Sequence, residues 1–448
     1  MADKVFLIHG WSVQETATYQ ALHLKLAENG FQLDEIDLGR YVSLENEVEI
    51  RDIAKALHGA LKKKLGANGK NWTRPFHIIT HSTGALVAKQ WVVHHYRDAF
   101  AQNRPLKNIV FLAGPHFGSR LAHHGRSMLA QAAFRGDTGK EVLIALELGS
   151  EFSWEVNKAW LDPANWKAKG VRPFNLIGDK VVKDFFKSKV FPAGYEQGSD
   201  MVVRAAAGNL NFRRFELPGT KKKARMVGQL RDVPFGALAD YTHSGIDHGI
   251  MNSITTMQTP ARHQGLRLIL SCLNVKTRSD YQAVQAALAR ETKKTRRIRR
   301  GFAQLDFRFR DEQGRPIDDY VFKLGAIVNG REKPSKAIVH THKNKIHPNH
   351  FTVFIDMKHI ESDLVYFIEL DSDSNSTLFR YEPDPFRITA PAKRITEIIQ
   401  EDQTTQLDVV LSREPKKNLF VFHPGNDPDL HVKWDRDGKI VATGIGPQ

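Results

Sequence analysis

The residues with the strongest chemical content run Phe76-His77-Ile78-Ile79-Thr80-His81-Ser82-Thr83-Gly84-Ala85-Leu86-Val87. An apolar run, a sharp turn and a helical run follow one another directly, which is the setting of a nucleophile elbow. A serine on that turn stands exposed at the end of a strand. The helix behind it offers backbone N–H groups and a positive dipole end. Small residues must flank such a serine, and Gly84 meets that need two positions after Ser82; Thr80 stands two positions before it, where glycine is usual. A strand-to-helix turn with a capping serine would read similarly, so further segments must carry the argument.

Three do. Val5–Ile8 runs into His9-Gly10-Trp11, where the Trp11 N–H can point at a developing oxyanion with the Thr83 N–H as second donor. Ile109–Ala113 leads into Gly114-Pro115-His116-Phe117-Gly118-Ser119, a loop at the strand edge where open α/β sheets build their sites. An acid and a base then follow in the chain order serine, aspartate, histidine. Gly198-Ser199-Asp200-Met201-Val202-Val203 offers Asp200, with Asp179 as the competing acid. Tyr241-Thr242-His243-Ser244-Gly245-Ile246-Asp247-His248 offers His243, with His248 as the competing base.

These groups need a frame. The first 275 or so residues alternate short β-branched apolar runs with longer helical patterns, the signature of a parallel sheet covered by helices on both faces. The expected strands are Val5–Ile8, Phe31–Asp37, Phe76–Thr80, Ile109–Ala113, Pro173–Ile177 and a late one within Met226–Val233. Helices are expected over Gln14–Glu28, Glu45–Leu65 and Thr83–His95. From about Phe302 the pattern changes to short segments such as Leu305–Arg310, Tyr320–Ile327, Phe351–Asp356, Leu364–Leu370, Leu407–Leu411 and Asn418–Phe422, parted by Gly, Pro, Asn and Asp. That pattern predicts an antiparallel β-sandwich. Seven of the eleven residues of Arg290–Arg300 are Lys or Arg, and this stretch reads as the boundary. The expected organisation is thus a catalytic α/β domain over 1–289, a basic linker over 290–300 and a β-sandwich over 301–448.

The chain has 448 residues, 41% of them hydrophobic and 26% charged, an ordinary globular composition with room for more than one domain. Its single cysteine, Cys272, excludes an intramolecular disulfide and any multi-cysteine metal site. No apolar run approaches a membrane-spanning length, and no charged-then-apolar leader precedes Val5, so synthesis in the cytoplasm is expected. The formal net charge of +15 calls for an anionic partner or a solvated basic surface. Basic residues interleaved with exposed aromatics, or a known nucleic-acid module, are absent, so nucleic acid is not expected as a partner. Arg290–Arg300 and Lys221-Lys222-Lys223-Ala224-Arg225 could meet anionic headgroups. Between Ser119 and Gly170 an insertion carries Met128, Leu129, Phe134, Phe152, Trp154, Trp160 and Trp166. Together with Phe117, its Phe152 and Trp154 are candidates for a lid or substrate wall, or else for the helices' own core.

Taken together, the segments His9-Gly10-Trp11, Thr80–Gly84, Gly114–Ser119, Gly149-Ser150-Glu151-Phe152, Gly198–Val203 and His243-Ser244-Gly245 resemble the α/β-hydrolase superfamily, and within it the bacterial lipase and phospholipase branch. The resemblance covers roughly the first 275 residues. It implies Ser82 as nucleophile, His243 as general base, Asp200 as the acid that orients it, and Trp11 and Thr83 as oxyanion-hole donors. It implies a phospholipid or acylglycerol substrate, most simply as an A-type phospholipase, and no cofactor. A soluble carboxylesterase or thioesterase, and a non-catalytic basic membrane or protein adaptor, are the competing readings. Some members hold calcium through an aspartate close behind the catalytic histidine, for which the nearest residue here is Asp247. A leaderless lipase domain joined to a β-sandwich also resembles effectors delivered by type VI secretion, which implies a target-cell membrane, secretion-machinery contacts and an immunity protein.

Overall fold

The structure, a computed structural model, describes residues 3–10, 19–36, 45–65, 74–97, 103–120, 122, 139–182, 196–218, 224–374, 376–382, 385–416, 430–434 and 440–445. Trp11, Met128, Leu129, Phe134, Lys221–Lys223 and Asn418–Phe422 lie outside the described residues.

Six strands form the first sheet: β1 (Asp3–Ile8), β2 (Phe31–Ile36), β3 (Phe76–His81), β4 (Leu106–Leu112), β5 (Arg172–Gly178) and β8 (Phe235–Leu238), in the order β2-β1-β3-β4-β5-β8. Every neighbouring pair is parallel. The strands are apolar on both faces because both are covered. Phe6, Ile8, Ile78, Ile109 and Phe111 point to one core with helices α2 (Ile50–Leu65), α3 (Gly84–His94), α4 (Lys140–Leu146) and α5 (Glu151–Trp160). Val5, Leu7, Ile79, Val110, Leu112 and Phe174 point to the other, with α1 (Gln20–Glu28), α7 (Gln264–Leu273) and α8 (Arg278–Ile298). The short α6 (Ala205–Gly208) lies beyond the end of β5.

The segment 212–230 departs from expectation. Instead of closing the first sheet, β6 (Phe212–Pro218) and β7 (Arg225–Leu230) join a second one with β9 (Phe302–Asp311), β12 (Ile338–Lys343), β13 (His350–Asp356), β15 (Phe379–Glu382) and β17 (Thr404–Pro415). Its order is β12-β13-β9-β17-β6-β7, with β15 paired to β17. This sheet is mixed, not antiparallel throughout, because β17 runs parallel to both β6 and β9. The sixth strand of the first sheet is the four-residue β8, just beyond the segment in which it was expected. A third, antiparallel sheet, β11-β10-β14-β16, comprises β10 (Tyr320–Val328), β11 (Arg331–Pro334), β14 (Val365–Ser372) and β16 (Phe386–Pro391). It packs on the second through a core that includes Leu305, Phe307, Leu324, Tyr366, Ile368, Leu407 and the α9 (Ala392–Ile398) residue Ile395. A hairpin of β18 (Leu430–Trp434) and β19 (Ile440–Ile445) completes the described elements.

The second sheet's other face is polar, and it lies on the α/β domain. Gln304 Nε2 donates to the Phe117 carbonyl (3.2 Å), Thr404 Oγ1 to Ala206 O (3.0 Å) and Asn344 Nδ2 to Leu148 O (3.0 Å). His342 Nε2 meets Glu147 Oε1 at 3.1 Å, and Arg308 meets Glu151 at 3.1 Å. Asp408, at the centre, accepts from Arg214, Arg308 and Arg310. Burial would raise its carboxyl, but the Arg308 and Arg310 hydrogen bonds win and hold it at about 2.

The basic stretch 290–300 is no extended linker. Most of it is the C-terminal part of α8, which opens on a capping box between Thr277 and Asp280 and buries Val284, Leu288, Glu291 and Thr295. Most of its basic side chains lie on the outer face of a helix packed on β8, with Arg296 turned inward.

Candidate active site

Three loops meet at the C-terminal edge of the first sheet. Ser82 directly follows β3 with φ of 53°, the left-handed region that a non-glycine residue enters only under constraint. The elbow fits because its neighbours lack side chains. A Cβ on Gly84 would lie 2.5 Å from Ile8 O, and one on Gly10 would lie 2.8 Å from Ser82 Cβ and 3.3 Å from its Oγ. The chain leaving β1 therefore passes directly beside the serine. Thr83 caps α3 and is buried, while Trp11, the other expected oxyanion donor, lies outside the described residues.

The acid and base come from the ends of β5 and β8. Asp200 is fully buried; its Oδ1 accepts from the Val202 N–H (3.0 Å) and Val203 N–H (2.7 Å). Its Oδ2 accepts from His243 Nδ1 at 2.9 Å, and its backbone carbonyl accepts from the His243 N–H at 2.8 Å. With the proton held on Nδ1 by the carboxylate, Nε2 of a neutral His243 is the free base. Gly178, the last residue of β5, makes this convergence sterically feasible. A Cβ there would sit 2.1 Å from Tyr241 O and 3.1 Å from Asp200 Cβ.

The link from this pair to the elbow is His81. Its Nε2 lies 3.0 Å from the His243 carbonyl and the two rings lie 4.8 Å apart, tilted by 43°. Since a carbonyl only accepts, Nε2 carries the proton. Burial, with His243 and His9 close by, pushes His81 down to about 3, so the ring is neutral at ordinary pH. Ser82 Oγ and His243 share no hydrogen bond among the described residues, an arrangement common before substrate tightens a site.

The runner-up residues face elsewhere. Asp179 Oδ2 lies 2.5 Å from the Arg296 guanidinium, which also reaches Asp402 at 2.7 Å. Burial raises the Asp179 carboxyl to about 6 despite that cation. His248 takes Lys180 Nζ at 3.1 Å. The expected lid residues are interior. Phe117 is fully buried against Phe212, and Phe152 belongs to the core beside α2. Trp154 carries the Arg214 and Arg308 guanidiniums over its ring, 4.9 Å from each, under the second sheet. Trp154 thus helps to join the two parts of the molecule, since α5 also meets β9 and β13 through Glu151, which pairs with Arg308 and His350. Among the described residues no group of three His, Cys, Asp or Glu side chains is placed to hold a metal, and no helix is long and apolar enough to cross a membrane.

Sequence reasoning quoted His81 within the elbow without giving it a part, and it overlooked Arg296 among its basic neighbours. A histidine directly before the serine was the available signal for the first. The second has none, since one arginine among seven basic residues looks like the others.

No family model matches the sequence, and no curated protein matches it. Among solved structures the chain is similar to phospholipase PlaB from Legionella pneumophila, at 28% identity and a TM-score of 0.81, over 95% of this chain and 97% of that one. The same protein in complex with thio-NAD superposes with a TM-score of 0.82 at 28% identity, covering 98% and 100%. The chain is thus structurally homologous to a phospholipase over nearly its whole length, including the second and third sheets. Its fold is an α/β-hydrolase core with C-terminal mixed and antiparallel sheets.

Proposed function

We propose that the chain is a serine hydrolase of lipid carboxylic esters, an A-type phospholipase, working through Ser82, His243 and Asp200. The observation that carries this reading is the strained Ser82 at the strand-to-helix turn, with the His81 contact bringing the Asp200–His243 pair to its side. The structural likeness to a phospholipase supports the choice of a phospholipid ester.

In this reading Ser82 Oγ attacks the ester carbonyl while His243 Nε2 takes its proton. Asp200 keeps the imidazole in the required tautomer and stabilises the imidazolium. Oxyanion charge falls to the Thr83 N–H, with Trp11 N–H as the expected second donor. His243 then returns the proton to the leaving alcohol. Water, activated by the same base, releases the fatty acid from the acyl-enzyme.

The test is hydrolysis of mixed-acyl phosphatidylcholine vesicles and of a short soluble ester by the purified chain, with products resolved by mass and Ser82→Ala as control. Fatty acid released from vesicles by the native chain and not by Ser82→Ala supports the proposal. Turnover of the soluble ester alone would replace it with a general carboxylesterase, and vesicle hydrolysis that survives Ser82→Ala would remove the triad assignment.

A further inference from the structure

Resting on the Ser82–His243 reading, we infer that His81 is the positioning residue of this site: through its Nε2–H bond to the His243 carbonyl it fixes where the general base stands relative to the serine beside it. Three observations carry this. The first is connectivity. Asp200 grips His243 from the β5 side by two hydrogen bonds, and His81, adjacent in sequence to Ser82, grips the same residue from the β3 side. The base is thereby tied to both walls of the site, and the short path from Ser82 to the His243 backbone runs through the His81 side chain and one hydrogen bond.

The second is the kind of side chain. His81 is buried, yet its Nδ1 has no hydrogen-bond partner among the described residues. Burying an imidazole with one nitrogen unsatisfied costs stability that an apolar side chain of similar size would not cost. A purely structural position would be better filled by leucine or phenylalanine, so the useful feature is the one donor that is satisfied.

The third is charge. The titratable groups facing His81 are His9 and His243, with Asp200 behind His243. A neutral ring against His243 adds no like charge when His243 takes the serine proton, whereas a lysine or arginine donor at this place would oppose that step. The site therefore calls for a donor that is planar, uncharged and long enough to reach the carbonyl.

The experiment compares His81→Leu, His81→Asn and His81→Gln in the full chain. The glutamine amide nitrogen reaches the position of Nε2, while that of asparagine stops near Nδ1. For a soluble ester, His81→Leu and His81→Asn are expected to lower kcat about 10- to 100-fold with KM within about twofold, the size expected for a misplaced catalytic group. His81→Gln should recover kcat to within about threefold of the native chain. The rate at which a fluorophosphonate labels Ser82 should fall and recover in the same order, and thermal melting identifies any variant that is unfolded. Equal kcat for folded His81→Asn and the native chain, or equal losses in His81→Gln and His81→Asn, would overturn the inference. Ser82→Ala, measured alongside, separates the two levels. An inactive Ser82→Ala with undisturbed His81 variants removes only the positioning role, whereas an active Ser82→Ala removes the underlying mechanism.

Discussion

Arg296 bridges two buried carboxylates, Asp179 at the end of β5 and Asp402 just before β17, so Arg296→Met is the sharpest test of how the two parts of the molecule hold together. Removing one partner of a buried ionic group typically costs about 3–5 kcal/mol, because the remaining charge keeps its desolvation penalty without its counter-ion. Here two carboxylates would face each other, and the cost must depend on pH. Burial already raises Asp179 to about 6, and Asp402 is raised as well. Loss of the arginine pushes both higher. A carboxyl with a folded pKa above its unfolded value binds its proton more tightly when folded, so its contribution is favourable at low pH and is lost as pH rises through the folded value. Each unit by which Asp179 rises above about 6 in Arg296→Met adds about 1.4 kcal/mol to the deficit once the pH exceeds the raised value. Urea denaturation of both proteins at pH 5.5 and pH 8 measures this. The expected result is a small difference at pH 5.5 that widens at pH 8 by at least about 1.4 kcal/mol, the equivalent of a one-unit rise. A deficit equal at both pH values would refute the assignment of Arg296 as counter-ion to the pair.

Further outcomes follow from other contacts. Asp200→Asn can still accept the Val202 and Val203 N–H bonds but turns an amide toward His243 Nδ1, inverting the imidazole tautomer; kcat should fall by up to about 10⁴ with little change in melting temperature, read by ester hydrolysis. Gly10→Ala places a methyl 2.8 Å from Ser82 Cβ and should lower kcat at least about 100-fold, an effect a rate within tenfold of native would rule out. Asp408, held at about 2, contributes stability that is fully present above the unfolded value near 4 and is lost as pH falls toward 2; Asp408→Asn should cost roughly 2–3 kcal/mol at pH 7 and less at pH 3, by denaturation at the two pH values.

Much of the first sheet was legible because strands buried on both faces read as continuous apolar runs. Val5–Ile8, Phe76–Thr80, Ile109–Ala113 and Pro173–Ile177 each fall within or one residue beyond an observed strand. β8 was not, since four residues with a glycine among them leave too little pattern. Nor was the destination of β6. In Phe212-Arg-Arg-Phe-Glu-Leu-Pro218 the arginine at 214 is as buried as its apolar neighbours, its charge absorbed by Asp408, and no rule of hydrophobic alternation anticipates a polar face covered by another domain. α8 hid for the same reason, because Glu291 and Thr295 occupy two of its inward positions. In the site, the order of Ser82, Asp200 and His243 along the chain was readable, as was the need for Gly84. The indoles of α5 were not assignable, because a tryptophan's type records that it will be covered and leaves open by what.

The pairing of β6 with β17 has a consequence for the chain as it is made. Arg214 and Asp408 are 194 residues apart, and the strands that bear them are neighbours in one sheet. While the ribosome is still adding the intervening residues, β6 has neither β17 nor β9 to lie against, and the underside of the α/β domain around Phe117, Ala206 and Trp154 stands uncovered. Contacts so distant in sequence form late, after the cost of closing the long loop has been met. Maturation of the hydrolase half is therefore coupled to completion of the C-terminal half. A nascent chain lacking β17 would expose apolar and unpaired strand surface, making it a substrate for chaperones and proteases before its site is complete.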